Sequence, residues 1–203
     1  MALASRQRQH EWKTRPMVMS RDVTAVVPHI PPRVDVLPNA LDSVWKQTHS
    51  VSALVVPVDL HKDGSAATRT RGLMAVETTW TAFLDDDDTW FPHHLETLLN
   101  NAEATGADVV YSYCVVLNEQ GQKVWDPFGQ PFNAQLLYQR PYITVVSLVR
   151  TALAKIAKFE EPEDEWGFYK RLHTNGAIFS YVPEITWVWN HNSRNTNGKP
   201  HNW

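Results

Sequence analysis

Trp80-Thr81-Ala82-Phe83-Leu84, followed at once by Asp85-Asp86-Asp87-Asp88, is the stretch from which the fold can be worked out. This largely apolar run reads as the third strand of the domain. Four carboxylates at its end then repel one another strongly unless a cation or hydrogen-bond donors neutralise them. Upstream, Val23–Val27 reads as the first strand, stopped by Pro28, and Ser52–Val58 as a second, buried strand that ends at Asp59. Helical patterns fall between them, at 39–47 and 66–76. A third helix is expected after Pro92, with Leu95, Leu98, Leu99 and Ala102 on one face and Gly106 as its C-terminal cap.

Three strand-loop-helix units in a row predict an α/β domain with a mostly parallel sheet flanked by helices, Rossmann-like in layout. In such sheets ligands bind outside the carboxyl ends of the strands, which is where Pro28, Asp59 and Asp85 fall. Further strands are expected at 108–117, 123–125, 145–148 and 178–181, with helices at 151–158 and 163–174.

The chain has 203 residues, 43% of them hydrophobic, which is enough for one sizeable core. The expected organisation is a basic arm over 1–21, a single domain over 22–196 and a tail over 197–203. Nineteen Lys and Arg against 22 Asp and Glu give a formal charge of -3, which argues against a nucleic-acid partner. The single cysteine, Cys114, can make no internal disulfide, and no window approaches the roughly 18 to 20 apolar residues of a membrane span. A cytoplasmic setting with no transmembrane segment is the expectation.

Hard carboxylate oxygens favour Mg2+ or Mn2+ over zinc, so the acidic run points to a metal that bridges carboxylate and diphosphate. Residues two apart, such as Asp85 and Asp87, can point the same way, one toward a ribose and one toward a metal. The plainer alternative is an acidic loop capping the next helix, for which one Asp would suffice. His93 and His94 are expected to be exposed on the third helix. Trp125, Trp166, Trp187 and Trp189 could offer flat faces to a sugar, although core packing suits each as well.

The stretch from Val23 to Leu99 resembles the N-terminal half of a family 2 glycosyltransferase of the GT-A fold. The matching parts are the strand closing in Pro28, Leu41-Asp42-Ser43-Val44-Trp45-Lys46-Gln47-Thr48, the strand ending at Asp59, the 64–73 segment, and Phe83-Leu84-Asp85-Asp86-Asp87-Asp88 before Pro92-His93-His94-Leu95-Glu96. The resemblance implies donor contacts at Pro28, His29, Asp59, Arg69, Asp85 and Asp86, with the Asp-x-Asp pair on Asp85 and Asp87 and the metal on Asp87. The family's Ala-Arg-Asn-x-Gly motif stands here as Thr68-Arg69-Thr70-Arg71-Gly72, which keeps the Arg and replaces the Asn. The first loop also departs from the pattern, with His29-Ile30-Pro31-Pro32-Arg33.

Asp164-Glu165-Trp166 before Tyr169-Lys170-Arg171-Leu172 resembles the family's acidic pair, so either Asp164 or Glu165 is the expected general base. Trp187-Val188-Trp189-Asn190-His191-Asn192, with Asn195 and Thr196 beyond, resembles the end of the family domain and makes His191 a further candidate metal ligand. The implied activity is an inverting, metal-dependent transfer from a nucleotide-sugar donor, most commonly UDP-linked, to an acceptor hydroxyl on protein, glycan or lipid. The short length resembles compact versions such as those carried by bacteriophages. A nucleotidyltransferase acting on sugar phosphates would share the layout and the acidic ligands, and a non-catalytic nucleotide-sugar binder would keep the pocket without the base.

Overall fold

In the computed structural model, which describes residues 20–162 and 164–191, the three early strands form where the apolar runs place them. Residues 1–19 of the arm expected over 1–21, Glu163, and the positions Asn192, Asn195 and Thr196 lie outside the described residues, as does the 197–203 tail. β1 (Val23–Val26) and β3 (Trp80–Phe83) are buried at every position, which explains their lack of polar alternation. The strand expected to be buried over 52–58 is corrected: β2 spans only Ala53–Val55 and is only partly covered, because it lies at the edge of the sheet.

The seven-stranded sheet runs β2-β1-β3-β6-β5-β7-β4, with β4 (Thr89–Trp90), β5 (Val109–Leu117), β6 (Leu148–Arg150) and β7 (Phe179–Asn190). β1 is parallel to β2 and β3, and β5 to β7, while β6 is antiparallel to both its neighbours and β4 to β7. The sheet is therefore mixed rather than mostly parallel. The chain reaches β6 through a long excursion instead of a crossover helix, so nothing forces it into the parallel sense.

Flanking helices are α1 (Leu37–Trp45), α2 (Ser65–Met74), α3 (His94–Thr105), α4 (Ala134–Leu137), α5 (Thr151–Ala157) and α6 (Asp164–Thr174). α3 ends at Gly106, whose φ of 70° is the left-handed cap that a side chain would strain. Gly72 has a different role. A Cβ there would meet Val26 Cγ1 at 2.7 Å and Pro57 Cγ at 2.8 Å, so glycine is what lets α2 lie directly on β1. None of the helices among the described residues is long and apolar enough to cross a membrane.

The expected strand at 145–148 forms three residues later. Val145 donates its N–H to the Glu165 carboxylate at 3.1 Å, so that part of the backbone serves a side chain instead of a ladder. The segments 178–181 and 187–189 belong to one strand, β7, which slips register against β5 beside Ser112 and Tyr113. The slip leaves Pro183 and Glu184 without partners on β5, and Pro183 has no N–H to lose there. The expected return strand at 123–125 is reduced to a bridge between Leu117 and Lys123 and a bond from Val124 N–H to Val116 O.

His94 corrects the expectation of an exposed histidine. It is fully buried, stacked on Trp90 with ring centroids 4.8 Å apart, and its Nδ1 lies 2.6 Å from Thr186 Oγ1. Burial pushes its pKa down to about 3, so it stays neutral in the core. His93 is half-exposed, with Nε2 3.2 Å from Glu184. Trp187 is buried too, and Cys114 is a buried thiol whose pKa burial raises to about 12.

Candidate active site

The polar ends of β1, β2 and β3 converge because the ladder continues past the strands. His29 N–H donates to Pro57 O and Asp59 N–H to His29 O, each at 2.9 Å, which sets Pro28 and His29 beside Asp59. Leu84 N–H bonds Val26 O and delivers the acidic run to the same place. The Asp59 side chain is turned inward, accepting from the N–H groups of Asp63 at 2.9 Å and Gly64 at 3.0 Å. It thereby shapes the turn that opens α2.

The four aspartates meet different donors. Asp85 pairs with Arg69 at 2.8 Å. Asp86 is buried and accepts from His29 Nδ1 (2.8 Å), Ile30 N–H (3.2 Å) and Arg33 Nη1 (2.8 Å), so it fastens the first loop to the acidic run. Asp87 faces Arg33 at 3.2 Å. Asp88, also buried, accepts from Asn190 N–H at 2.8 Å, and Asn190 Nδ2 donates to the Asp87 carbonyl at the same distance. Asp85 and Asp87 thus engage separate arginines instead of a common partner. Burial, only partly offset by Arg33, and the charges of Asp85 and Asp86 push Asp87 up to about 7, while Asp88 is raised well above the carboxylate range, chiefly by burial.

Arg69 joins the acidic run to α6. Its buried guanidinium reaches Asp85 (2.8 Å), Asp164 (2.5 Å) and Glu165 (3.1 Å), beneath the Phe159 ring at 5.8 Å. Asp164 also accepts from Ser65 Oγ, which leaves Asp164 Oδ1 buried and without a hydrogen-bond partner. Both Glu165 oxygens are engaged, Oε1 by Arg69 and Oε2 by Val145 N–H. Thr70, which replaces the family Asn, turns away: its hydroxyl donates to Phe159 O and accepts from Phe159 N–H, pinning the segment after α5.

Burial, partly offset by Arg69, and the charges of Asp85 and Asp164 push Glu165 from the usual 4.5 up to about 7. A carboxyl with a raised folded-state pKa keeps its proton where the unfolded chain has lost it. Stability should therefore fall as pH rises from about 4.5 to about 7. Thermal unfolding of the metal-free protein followed across that window should show Glu165→Gln losing part of the decline seen in the wild type. An identical slope would exclude Glu165 as its source.

A cavity of about 780 Å3 opens on the Asp87 side, lined among others by Arg33, Asp87, Trp90, Asn190 and His191. His191 therefore shares this cavity with Asp87, its ring 4.8 Å from that of the half-exposed Trp125. Trp189 lies edge-on to Trp125, and Trp166 is half-buried with its indole N–H on Leu137 O. Among the described residues no three His, Cys, Asp or Glu side chains are gathered as a complete metal cage. Mg2+-type sites on nucleotides use one or two carboxylates with substrate phosphates and water, and the crowded, cation-seeking oxygens of Asp85 and Asp87 fit that kind of site.

Arg33, Asp88, Asn190 and Ser65 are the site residues to which the sequence reading gave no role. The one available signal was Arg33, the lone permanent cation in a proline-rich loop opposite an acidic run. Comparison with family models matches residues 54–152 to glycosyl transferase family 2. Among solved structures, S. aureus TarS 1–349 in complex with UDP-GlcNAc superposes with a TM-score of 0.69 at 15% identity, over 86% of this chain and 60% of that one. The same fragment of TarS in complex with UDP gives 0.64 at 16% identity, with coverage of 84% and 60%. Full TarS gives 0.63 at 16% identity, and there this chain, 84% covered, spans only 37% of the larger protein. These likenesses establish a shared fold. Comparison with curated protein sequences gives no match.

Proposed function

We propose, from the match of residues 54–152 to glycosyl transferase family 2, that the chain moves a sugar from a nucleotide-sugar donor, UDP-linked, to an acceptor hydroxyl with inversion at the anomeric carbon. The observation that carries this reading is Arg69, which ties the Asp85–Asp88 run at the end of β3 to the paired acids of α6. Donor side and base side are thereby held in one rigid cluster. The UDP-GlcNAc bound by the TarS fragment of the same fold supports the choice of donor.

In this reading Pro28, His29 and the Asp59 turn border the nucleoside, with Asp86 holding the first loop in place. A Mn2+ or Mg2+ ion on Asp87, with His191 within the same cavity, would supply positive charge to the departing diphosphate. Asp164 is assigned as the base because Oδ1 is the carboxylate oxygen of the α6 pair that lacks a partner. It takes the proton as the acceptor oxygen forms its bond to the anomeric carbon from one face. The bond to the diphosphate breaks on the other face, its electron pair leaving with the phosphate oxygen. Glu165 and Arg69 keep Asp164 in position.

Asp87→Asn tests the reading directly. Donor turnover stimulated by Mn2+ should fall by about a hundredfold or more. In thermal-shift assays UDP with Mn2+ should raise the melting temperature of the wild type and leave the variant unmoved. Unimpaired Mn2+-dependent turnover in Asp87→Asn would sink the assignment.

A further inference from the structure

From the contacts of the first loop we infer that Arg33 is a built-in counter-cation for Asp87, which a divalent metal must displace, so that metal binding is coupled to binding of the nucleotide. The inference rests on the donor and metal reading above and adds a coupling between the two ligands to it. The 3-10 turn Pro31–Arg33 fixes the direction of the Arg33 side chain, which is about nine-tenths covered. Its Nη1 stands 2.8 Å from Asp86 Oδ1 and 3.2 Å from Asp87 Oδ2, and both Arg33 and Asp87 line the cavity.

The two aspartates depend on Arg33 unequally. Asp86 Oδ2 already accepts from His29 Nδ1 and Ile30 N–H, so Asp86 keeps its place without the arginine. Among the described residues, the ion pair of Asp87 is with Arg33, while Arg69 is committed to Asp85 and the α6 acids. A guanidinium cannot lose its proton, so it does not yield to a metal by becoming neutral. Two cations would then contend for one carboxylate. A diphosphate changes this by offering anionic oxygens to both, metal and guanidinium alike, which removes the contest. Linkage requires the effect to be mutual: nucleotide must tighten metal as much as metal tightens nucleotide.

The test is Mn2+ binding to the full chain, read from the electron paramagnetic resonance signal of free Mn2+, with and without UDP. Wild-type protein should bind Mn2+ weakly alone and about tenfold or more tighter with UDP. Arg33→Gln and Arg33→Met, checked for folding by circular dichroism, should bind Mn2+ alone about tenfold tighter than the wild type and gain little from UDP. Arg33→Lys, which keeps the charge, should stay close to the wild type.

Mn2+ affinity in the neutral variants equal to or below that of the wild type overturns the inference while leaving the transferase reading in place. Wild-type protein that binds Mn2+ equally well with and without UDP overturns it with no variant needed. No Mn2+ binding by any of these proteins, even with UDP present, removes the metal reading itself and this inference with it.

Discussion

Arg69→Met is expected to destabilise the protein by about 3–5 kcal/mol and to abolish sugar transfer, because it withdraws the one guanidinium shared by Asp85, Asp164 and Glu165. Removing one member of a buried ion cluster costs more than the cluster itself contributes, since the partners are left charged and desolvated. The variant should therefore recover part of its stability as pH falls and the Glu165 carboxyl, already raised by burial, takes up a proton. Adding Glu165→Gln to Arg69→Met should cost less than the sum of the two single changes, because the second removes a charge that the first left unpaired. Denaturant melts of the four proteins measure the coupling. A loss below about 1 kcal/mol for Arg69→Met would mean that the cluster is solvated and screened like a surface pair.

Asp164→Asn should lower kcat by about 10²- to 10⁴-fold with little change in donor KM, the signature of a lost general base. Glu165→Gln should cost less, about tenfold, since in this reading it acts on Asp164 and not on the acceptor. The pH profile of kcat separates the two roles. If Glu165 only positions, its Gln variant keeps the wild-type acid limb; if it is the base, that limb disappears and Asp164→Asn retains most of the activity. The second pattern would transfer the assignment to Glu165.

The early half of the domain is legible in the sequence because β1 and β3 are buried on both faces, and such strands appear as unbroken apolar runs with polar stops. Gly106 and Gly72 are legible for their own reasons, the first as a helix cap and the second as part of a motif whose glycine proves to be a packing contact between α2 and β1. The later half is less legible. β6 is three residues long, and β7 slips register around Pro183, so neither carries a clean period of two. β4 has only two residues, too few for any periodicity.

Within the site, residue types can be anticipated but their pairing cannot. Four consecutive aspartates announce a demand for positive charge. Nothing in the local spacing says that Asp85 meets it through Arg69, 16 positions away, or that Asp88 meets it through the backbone of Asn190, 102 positions away. The pairing of Arg33 stays hidden for the same reason, since its partners lie 53 and 54 positions on in the chain. The match to glycosyl transferase family 2 favours the transferase over the nucleotidyltransferase that the same acidic pattern would allow.

The two bonds from Asn190 to the acidic run tie the loop after β3 to the last residues of β7, at the far side of the sheet. Breathing at that strand end would therefore loosen Asp88 and the Asp87 backbone, and through Asp87 the Arg33 contact of the first loop. Engineered fusions or shortened versions of this protein that fray position 190 should be regarded as changes to the candidate site, however remote they look in the primary structure.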